Sequence, residues 1–266
     1  MVTFIPRLGL GTSGNTDPDE CARTVASALE MGYRHVDTAQ MYDNESYVGD
    51  GIERADVPRE EVFIATKVHP DNLGYRAVLE SVEASLDRLG VSYVDLLYVH
   101  WPIGEYEATD TLPAFDELRD DGSIDHVGVS NFTPALLAEA RDVLDAPIAA
   151  HQVERHPLLP QRELLAEART DDHLLVAYSP LMQGGVVDID VLTEIAADHD
   201  ATAAQVCLAW HLADDHVAPI PKGTGDHVGE NFAATDLTLS SGELERIDAL
   251  EERERLIDPD AAAWNQ

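Results

Sequence analysis

The chain has 266 residues, of which 51 are acidic and 17 are Lys or Arg, for a formal net charge of −34 at pH 7. That balance argues against nucleic-acid binding through phosphate neutralisation, and no apolar run approaches the ~18 residues that cross a bilayer. Self-repulsion of this size opposes compaction in dilute salt, so the composition predicts a halophilic protein that works in concentrated salt. The opening MVTFIPRLGLGT has neither a cationic leader nor an extended apolar core, which leaves a cytoplasmic protein as the expectation; a monomer is expected as well.

In chain order, short apolar runs alternate with helical patterns, as expected of β/α units around a parallel sheet. The first run is RLGLGT (7–12), and Asp17-Pro18-Asp19-Glu20 follows with an N-cap, a first-turn proline and a capping-box acid. RHVDTA (34–39) and VFIATKV (62–68) are the second and third runs. Val78, Val82, Leu86 and Leu89 then recur at helical spacing, with Gly90 as the stop. YVDLLYVH (93–100) and DHVGVSN (125–131) come next, and Thr133-Pro134 opens another helix. AAHQVE (149–154), LLVAYSP (174–180) and VAPIPKG (217–223) complete the runs. Ser240 and Glu243 form a capping box for a last helix through Leu244, Ile247 and Leu250. Eight runs without a linker, repeat or low-complexity tract predict an α/β fold, a single (β/α)8 TIM barrel with one domain over 1–266.

A doubly wound sheet is the alternative, because Gly9, Gly11 and Gly14 satisfy the spacing of a dinucleotide-binding glycine loop and Asp37 follows at about the right interval. Eight βα units argue against it. Cys21 and Cys207 fall inside helical patterns and read as buried thiols. His69, His156 and His216 belong to no ligand constellation, so no metal is expected.

Barrel enzymes work at the C-terminal ends of their strands. Here those ends carry Thr12, Asp37, Lys67, His100, Ser130 with Asn131, Gln152, Tyr178 and Lys222. The chain has only two lysines, Lys67 and Lys222, against fifteen arginines, and both follow apolar runs. An ammonium beside a tyrosine favours the phenolate and eases proton release. Lys67 supplies that field, Asp37 holds Lys67 charged, and His100 hydrogen-bonds a carbonyl oxygen. Such a set protonates a developing alkoxide. No side chain provides a hydride, so a cofactor is implied.

GLGT (9–12), HVDTAQMYDNE (35–45), ATKV (65–68), LLYVHWP (96–102), VGVSNF (127–132), HQVE (151–154), AYSPL (177–181) and IPKG…ENF (220–232) together resemble the aldo-keto reductases, in particular the short prokaryotic type that includes diketogluconate and aldehyde reductases. The resemblance implies reduction of a small-molecule carbonyl by NADPH, with NADH as the alternative. It makes Tyr42 the general acid, tuned by Lys67 and Asp37, with His100 aligning the carbonyl and Trp101 walling the substrate pocket. It assigns Ser130, Asn131 and Gln152 to the nicotinamide carboxamide, Tyr178 to stacking on the ring, and Ser179, Leu181 and Gln183 to the pyrophosphate, with Gly11 and Thr12 also among the cofactor contacts. Lys222, Gly223, Thr224, His227, Glu230 and Asn231 take the adenosine end.

Two departures stand out. Ser13 occupies a position that is often aromatic in the family, and the adenosine loop is shortened, with His227 nearest the usual arginine. A neutral imidazole does not replace a guanidinium fork on a phosphate, so a reduced advantage of NADPH over NADH is expected. The rival readings are a non-catalytic cofactor-binding sensor and a metal-dependent barrel hydrolase; neither explains Lys67.

Overall fold

The computed structural model describes residues 4–266, so Met1, Val2 and Thr3 of the opening segment lie outside the described residues. The strands are β1 (Gly9–Gly11), β2 (His35–Asp37), β3 (Phe63–Val68), β4 (Val94–Val99), β5 (Ile124–Ser130), β6 (Ile148–Glu154), β7 (Leu174–Tyr178) and β8 (Val217–Pro219). They pair in parallel in sequence order from β1 to β8. A doubly wound sheet reverses its strand order, so this consecutive order excludes it.

Closure comes from an isolated parallel bridge between Gly11 and Lys222, where Gly11 N–H donates to Pro221 O at 3.0 Å. A Cβ on Gly11 would stand 2.7 Å from Ile220 O, so the two edges meet this closely only at glycine. Gly11, one of the three glycines that imitate a dinucleotide loop, thus serves the seam. Six of the eight expected runs contain their strand, and β5 and β6 begin one residue before theirs, at Ile124 and Ile148. The last is cut from 217–223 to Val217–Pro219 because Pro219 and Pro221 offer no N–H to a ladder.

Among the described residues ten α-helices surround the sheet: α1 (Pro18–Met31), α2 (Glu45–Arg54), α3 (Tyr75–Leu89), α4 (Ala108–Asp120), α5 (Pro134–Val143), α6 (Arg162–Asp171), α7 (Asp190–Asp198), α8 (Ala203–Leu212), α9 (Asp226–Phe232) and α10 (Ser241–Asp248). Asp17 caps α1 by accepting Glu20 N–H, with no return bond from the Glu20 side chain, so this is a cap and not the expected box. Thr133 caps α5. Gly90 ends α3 in the left-handed region at φ 66°. The capping box of Ser240 and Glu243 opens α10, but the helix stops at Asp248, so Leu250 lies past its end and not within it. Cys21 and Cys207 are buried free thiols in α1 and α8.

Strand alternation sorts side chains between two layers. Leu97 and Val99 join Val82, Phe115 and Leu137 between sheet and helices. Leu96 and Tyr98 join Phe63, Ala65, Ala150, Leu174 and Val176 in a separate interior cluster. Continuing the interior register by twos takes β3 from Ala65 to Lys67, β4 from Tyr98 to His100, β6 from Ala150 to Gln152 and β7 from Val176 to Tyr178. One alternating pattern therefore builds an apolar barrel interior and then ends it in polar groups.

Candidate active site

At the rim, Lys67 is fully buried and donates from Nζ to Asp37 Oδ1 and, at 2.7 Å, to Thr38 O. Asp37 accepts a second bond at Oδ2 from Gln152 Nε2, 2.8 Å away. Burying this charge pair is tolerable only because both partners are saturated with hydrogen bonds. The remaining Nζ contact points to Tyr42, whose hydroxyl lies 3.4 Å away.

Tyr42 sits in a short 3₁₀ turn, Gln40–Tyr42, that ends at Asp43 in the left-handed region. Gln40 ties this turn down, donating to Ser81 O and Ser85 Oγ and accepting from His69 N–H and Asn72 Nδ2. Asn44, just beyond, donates to Thr12 O and Asn15 O and accepts from Thr38 Oγ1. Glu45 accepts from Thr66 Oγ1 at 2.6 Å and from Arg88 Nε at 2.9 Å. These three polar residues of the HVDTAQMYDNE segment form the frame of the site.

Burial raises the Tyr42 hydroxyl above the ordinary tyrosine range, and Lys67 pulls against that rise. The field of Lys67 acts in the expected direction, yet desolvation outweighs it, so Tyr42 is held as a neutral acid. Burial is the largest influence on the Lys67 ammonium and works against it, but Asp37 and then Tyr42 together more than offset it and the net shift is upward. His100 follows β4, its ring 5.7 Å from that of Tyr42 and nearly perpendicular to it. Burial first, then the charge of Lys67, lowers its pKa well below the usual histidine value. Its Nδ1 is buried without a partner.

Asn131, in the left-handed region at φ 62°, donates from Nδ2 to His100 O and to Ser130 Oγ, both at 3.0 Å. Its Oδ1 accepts the Tyr178 hydroxyl at 2.9 Å. Ser130 Oγ donates to Gln152 O, and Thr12 Oγ1 donates to Asp37 O.

A cleft of about 840 Å³ runs over these groups. Its walls include Gly11, Thr12, Asp37, Tyr42, His100, Trp101, Ser130, Asn131, Gln152, Tyr178, Ser179, Leu181, Gln183, Lys222, Gly223, His227, Glu230 and Asn231. Two expected residues are not on that wall. Lys67 lies behind it, touching the cleft through Tyr42 and Asp37, and Thr224 is not among the lining residues although Gly223 before it is. The sequence reading named no wall role for Met41, Val187 and Ile257, which also line the cleft. Met41 and Val187 stand out as large apolar residues only once the structure shows them exposed. Ile257 carried no signal.

The fold and this rim define a barrel enzyme whose polar machinery converges on a cleft long enough for an extended ligand. The chain belongs to the aldo/keto reductase family, whose family model matches residues 7–252. It is 41% identical over 263 residues to an aldo-keto reductase of Mycobacterium sp. (strain KMS), covering 98% of this chain and 94% of that one. It is also 41% identical to the glyoxal reductase of Bacillus subtilis (strain 168), covering 95% and 91%. A crystal structure of a putative 2,5-diketo-D-gluconic acid reductase B superposes with a TM-score of 0.93 at 39% identity, covering 97% of this chain and 92% of that one. The protein is an NAD(P)H-dependent oxidoreductase that reduces carbonyl compounds. No helix among the described residues is long and apolar enough to cross a membrane.

Proposed function

We propose that this enzyme reduces aldehydes or ketones to alcohols with NADPH as preferred donor and NADH as second donor, and that Tyr42 gives the proton. The observation that carries this reading is the relay at the rim: a saturated Lys67 ammonium 3.4 Å from the Tyr42 hydroxyl. Tyr42 stays protonated until oxygen develops negative charge, and Lys67 then stabilises the phenolate it leaves. With Nδ1 buried and unpartnered, a neutral His100 carries its proton on the other nitrogen and aligns the carbonyl oxygen. Trp101 supports the substrate beside Tyr42 and His100.

The cleft fits an extended dinucleotide. Ser130, Asn131 and Gln152 hold the carboxamide end, next to Gly11 and Thr12, and Tyr178 offers its ring as a platform. Ser179, Leu181 and Gln183 border the pyrophosphate. Lys222, Gly223, His227, Glu230 and Asn231 take the adenosine end. When bound there, the dinucleotide supplies the hydride. A thousandfold preference for NADPH in molar salt would contradict the weakened grip expected of His227.

The same reading takes residues 1–266 as one domain working in the cytoplasm in concentrated salt, as a monomer because a net charge of −34 keeps copies apart. Full folding and activity in salt-free buffer would remove the support for a halophilic habit. The main test is NADPH oxidation in high salt with a panel of aldehydes, ketoacids and diketo sugars. Tyr42→Phe is expected to lose about 10²–10⁴ in turnover, the usual share of a general acid. A variant that keeps full turnover removes Tyr42 from the role.

A further inference from the structure

Between β1 and α1 the chain turns sharply beside the proton donor. Asn15 N–H donates to Thr12 O at 3.1 Å and closes a four-residue β-turn. Gly14 takes its third position at φ 74°, in the left-handed region that a type II turn requires there. Ser13 is left at the corner of the turn, exposed and on the cleft wall together with Met41, Tyr42 and His100. The base of the turn is fixed to β2, because Thr12 N–H and Thr12 Oγ1 both donate to Asp37 O.

One buried side chain sets the spacing of Ser13 and Tyr42. Asn44 is fully buried and follows Tyr42 closely in the chain. Its Nδ2 donates to Thr12 O at 2.8 Å and to Asn15 O at 3.1 Å, the carbonyls at the two ends of the Ser13 turn. The turn that carries Ser13 and the 3₁₀ turn that carries Tyr42 are thus tied to the same amide. The Ser13 side chain comes within hydrogen-bonding reach of the Tyr42 hydroxyl. Burial raises Tyr42 most; the charge of Lys67 opposes that rise, and hydrogen bonding by Lys67 and Ser13 opposes it too. The other titratable groups facing Tyr42 are Asp37 on β2, His100 after β4 and Tyr178 at the end of β7. Among the described residues the Ser13 hydroxyl has no further hydrogen-bond partner.

We infer that Ser13 is a positioning residue of this enzyme, whose hydroxyl donates to the Tyr42 oxygen and holds the phenolate that proton transfer leaves behind. The assignment rests on the reading of Tyr42 as proton donor. When the alkoxide oxygen takes the Tyr42 proton, the Tyr42 O–H bond breaks and its electron pair stays on the phenolic oxygen. Lys67 meets that charge from the buried side and Ser13 from the cleft side, and Ser13 keeps its own proton. A donor is held more strongly by a charged oxygen than by a neutral one, so the bond from Ser13 gains as the phenolate forms. Ser13 stands where the family often carries an aromatic residue, so this donor lies outside the four residues that the resemblance names.

The test is a double-mutant cycle on Ser13 and Tyr42 in high salt, read as the single-turnover rate of NADPH oxidation by an aldehyde. Ser13→Ala should lower that rate about threefold, since only part of the bond to the phenolate is made in the transition state. Ser13→Thr keeps the hydroxyl and should restore most of the loss. In the Tyr42→Phe background Ser13→Ala should cost nothing further, because the oxygen it serves is gone. KM for NADPH should stay within about twofold in Ser13→Ala, as expected of a residue that acts on the proton donor and not on binding. A second readout needs neither cofactor nor turnover. Ionisation of Tyr42, taken as the ultraviolet tyrosinate step missing from Tyr42→Phe, should move up by about half to one pH unit in Ser13→Ala, a roughly three- to tenfold fall in its acid dissociation constant. The alkaline limb of the reduction should move in the same direction. An equal loss in both backgrounds, no loss at all, or an unmoved ionisation step overturns the assignment. Full turnover in Tyr42→Phe sinks the proton-donor reading by itself, and the ionisation step still decides whether Ser13 holds the phenolate.

Discussion

At the catalytic end of the cleft Lys67, Asp37 and Gln152 are 0%, 1% and 2% exposed, and each is fixed by bonds to the others or to the backbone. At the adenosine end the His227 and Glu230 side chains are 75% and 51% exposed and are linked by a single contact of 2.8 Å. The difference separates two tasks. Proton transfer needs groups pre-set within a few tenths of an ångström, which only a saturated, buried network provides. Choice between two cofactors needs a modest free-energy difference, which exposed side chains can supply and adjust.

Removing the cation breaks this contrast most severely. In Lys67→Met, Asp37 keeps only Gln152 on its carboxylate and becomes an uncompensated buried charge. The expected cost is about 3–5 kcal/mol of stability, read by denaturant unfolding in high salt. Turnover should fall together with stability, because Tyr42 loses the one neighbouring charge that opposes its upward shift. A variant of unchanged stability would show that the pair is not the keystone described.

Acid probes the same interior. Burial lowers His151 to about 3, His173 to about 4 and His211 to about 3. In the unfolded chain such groups titrate near ~6.5. Folded pKa values lie below unfolded ones, so the unfolded chain binds more protons as pH falls. Stability is full above ~6.5 and declines toward the folded values, with about 2 kcal/mol lost per histidine by about pH 5. Melting curves between about pH 7 and 5 in constant salt measure the slope. His173→Phe should flatten it, since neither nitrogen of His173 has a partner to lose. A stability independent of pH in that window contradicts the neutral, buried state of these rings.

The buried end was also the more legible in the sequence. Alternation through Ala65 to Lys67 and through Tyr98 to His100 carries fold and site in one pattern, so the residues that build the barrel also announce its rim. The lysines were conspicuous because this chain has only two. Three things were not legible. The upward shift of Tyr42 depends on how deeply it is buried, which a motif does not state. The absence of Thr224 from the cleft wall is a matter of the path of the backbone, which a motif does not state. The C-terminal segment after α10 had no periodicity to read, and Glu154 accepts from its Leu256 and Ile257 backbone N–H groups 102 and 103 residues away, where side-chain identity carries no signal.

The exposed end gives the smallest effect and the sharpest check of the comparison. His227→Arg places a fork where the imidazole now stands, which strengthens the grip on the adenosine phosphate that distinguishes NADPH from NADH. A fully available guanidinium is worth about tenfold in the ratio of kcat/KM values. Glu230 already contacts His227 at 2.8 Å and would compete for the new cation, so about three- to tenfold is expected. Adding Glu230→Gln frees the arginine and should move the ratio to the top of that range. The gain should shrink as salt rises toward about 1 M, where charges more than ~3 Å apart are screened. Turnover with saturating NADPH should not change, since no part of the exposed pair touches Tyr42, Lys67 or His100. If turnover does fall, the two ends are coupled and the division of tasks between them is wrong.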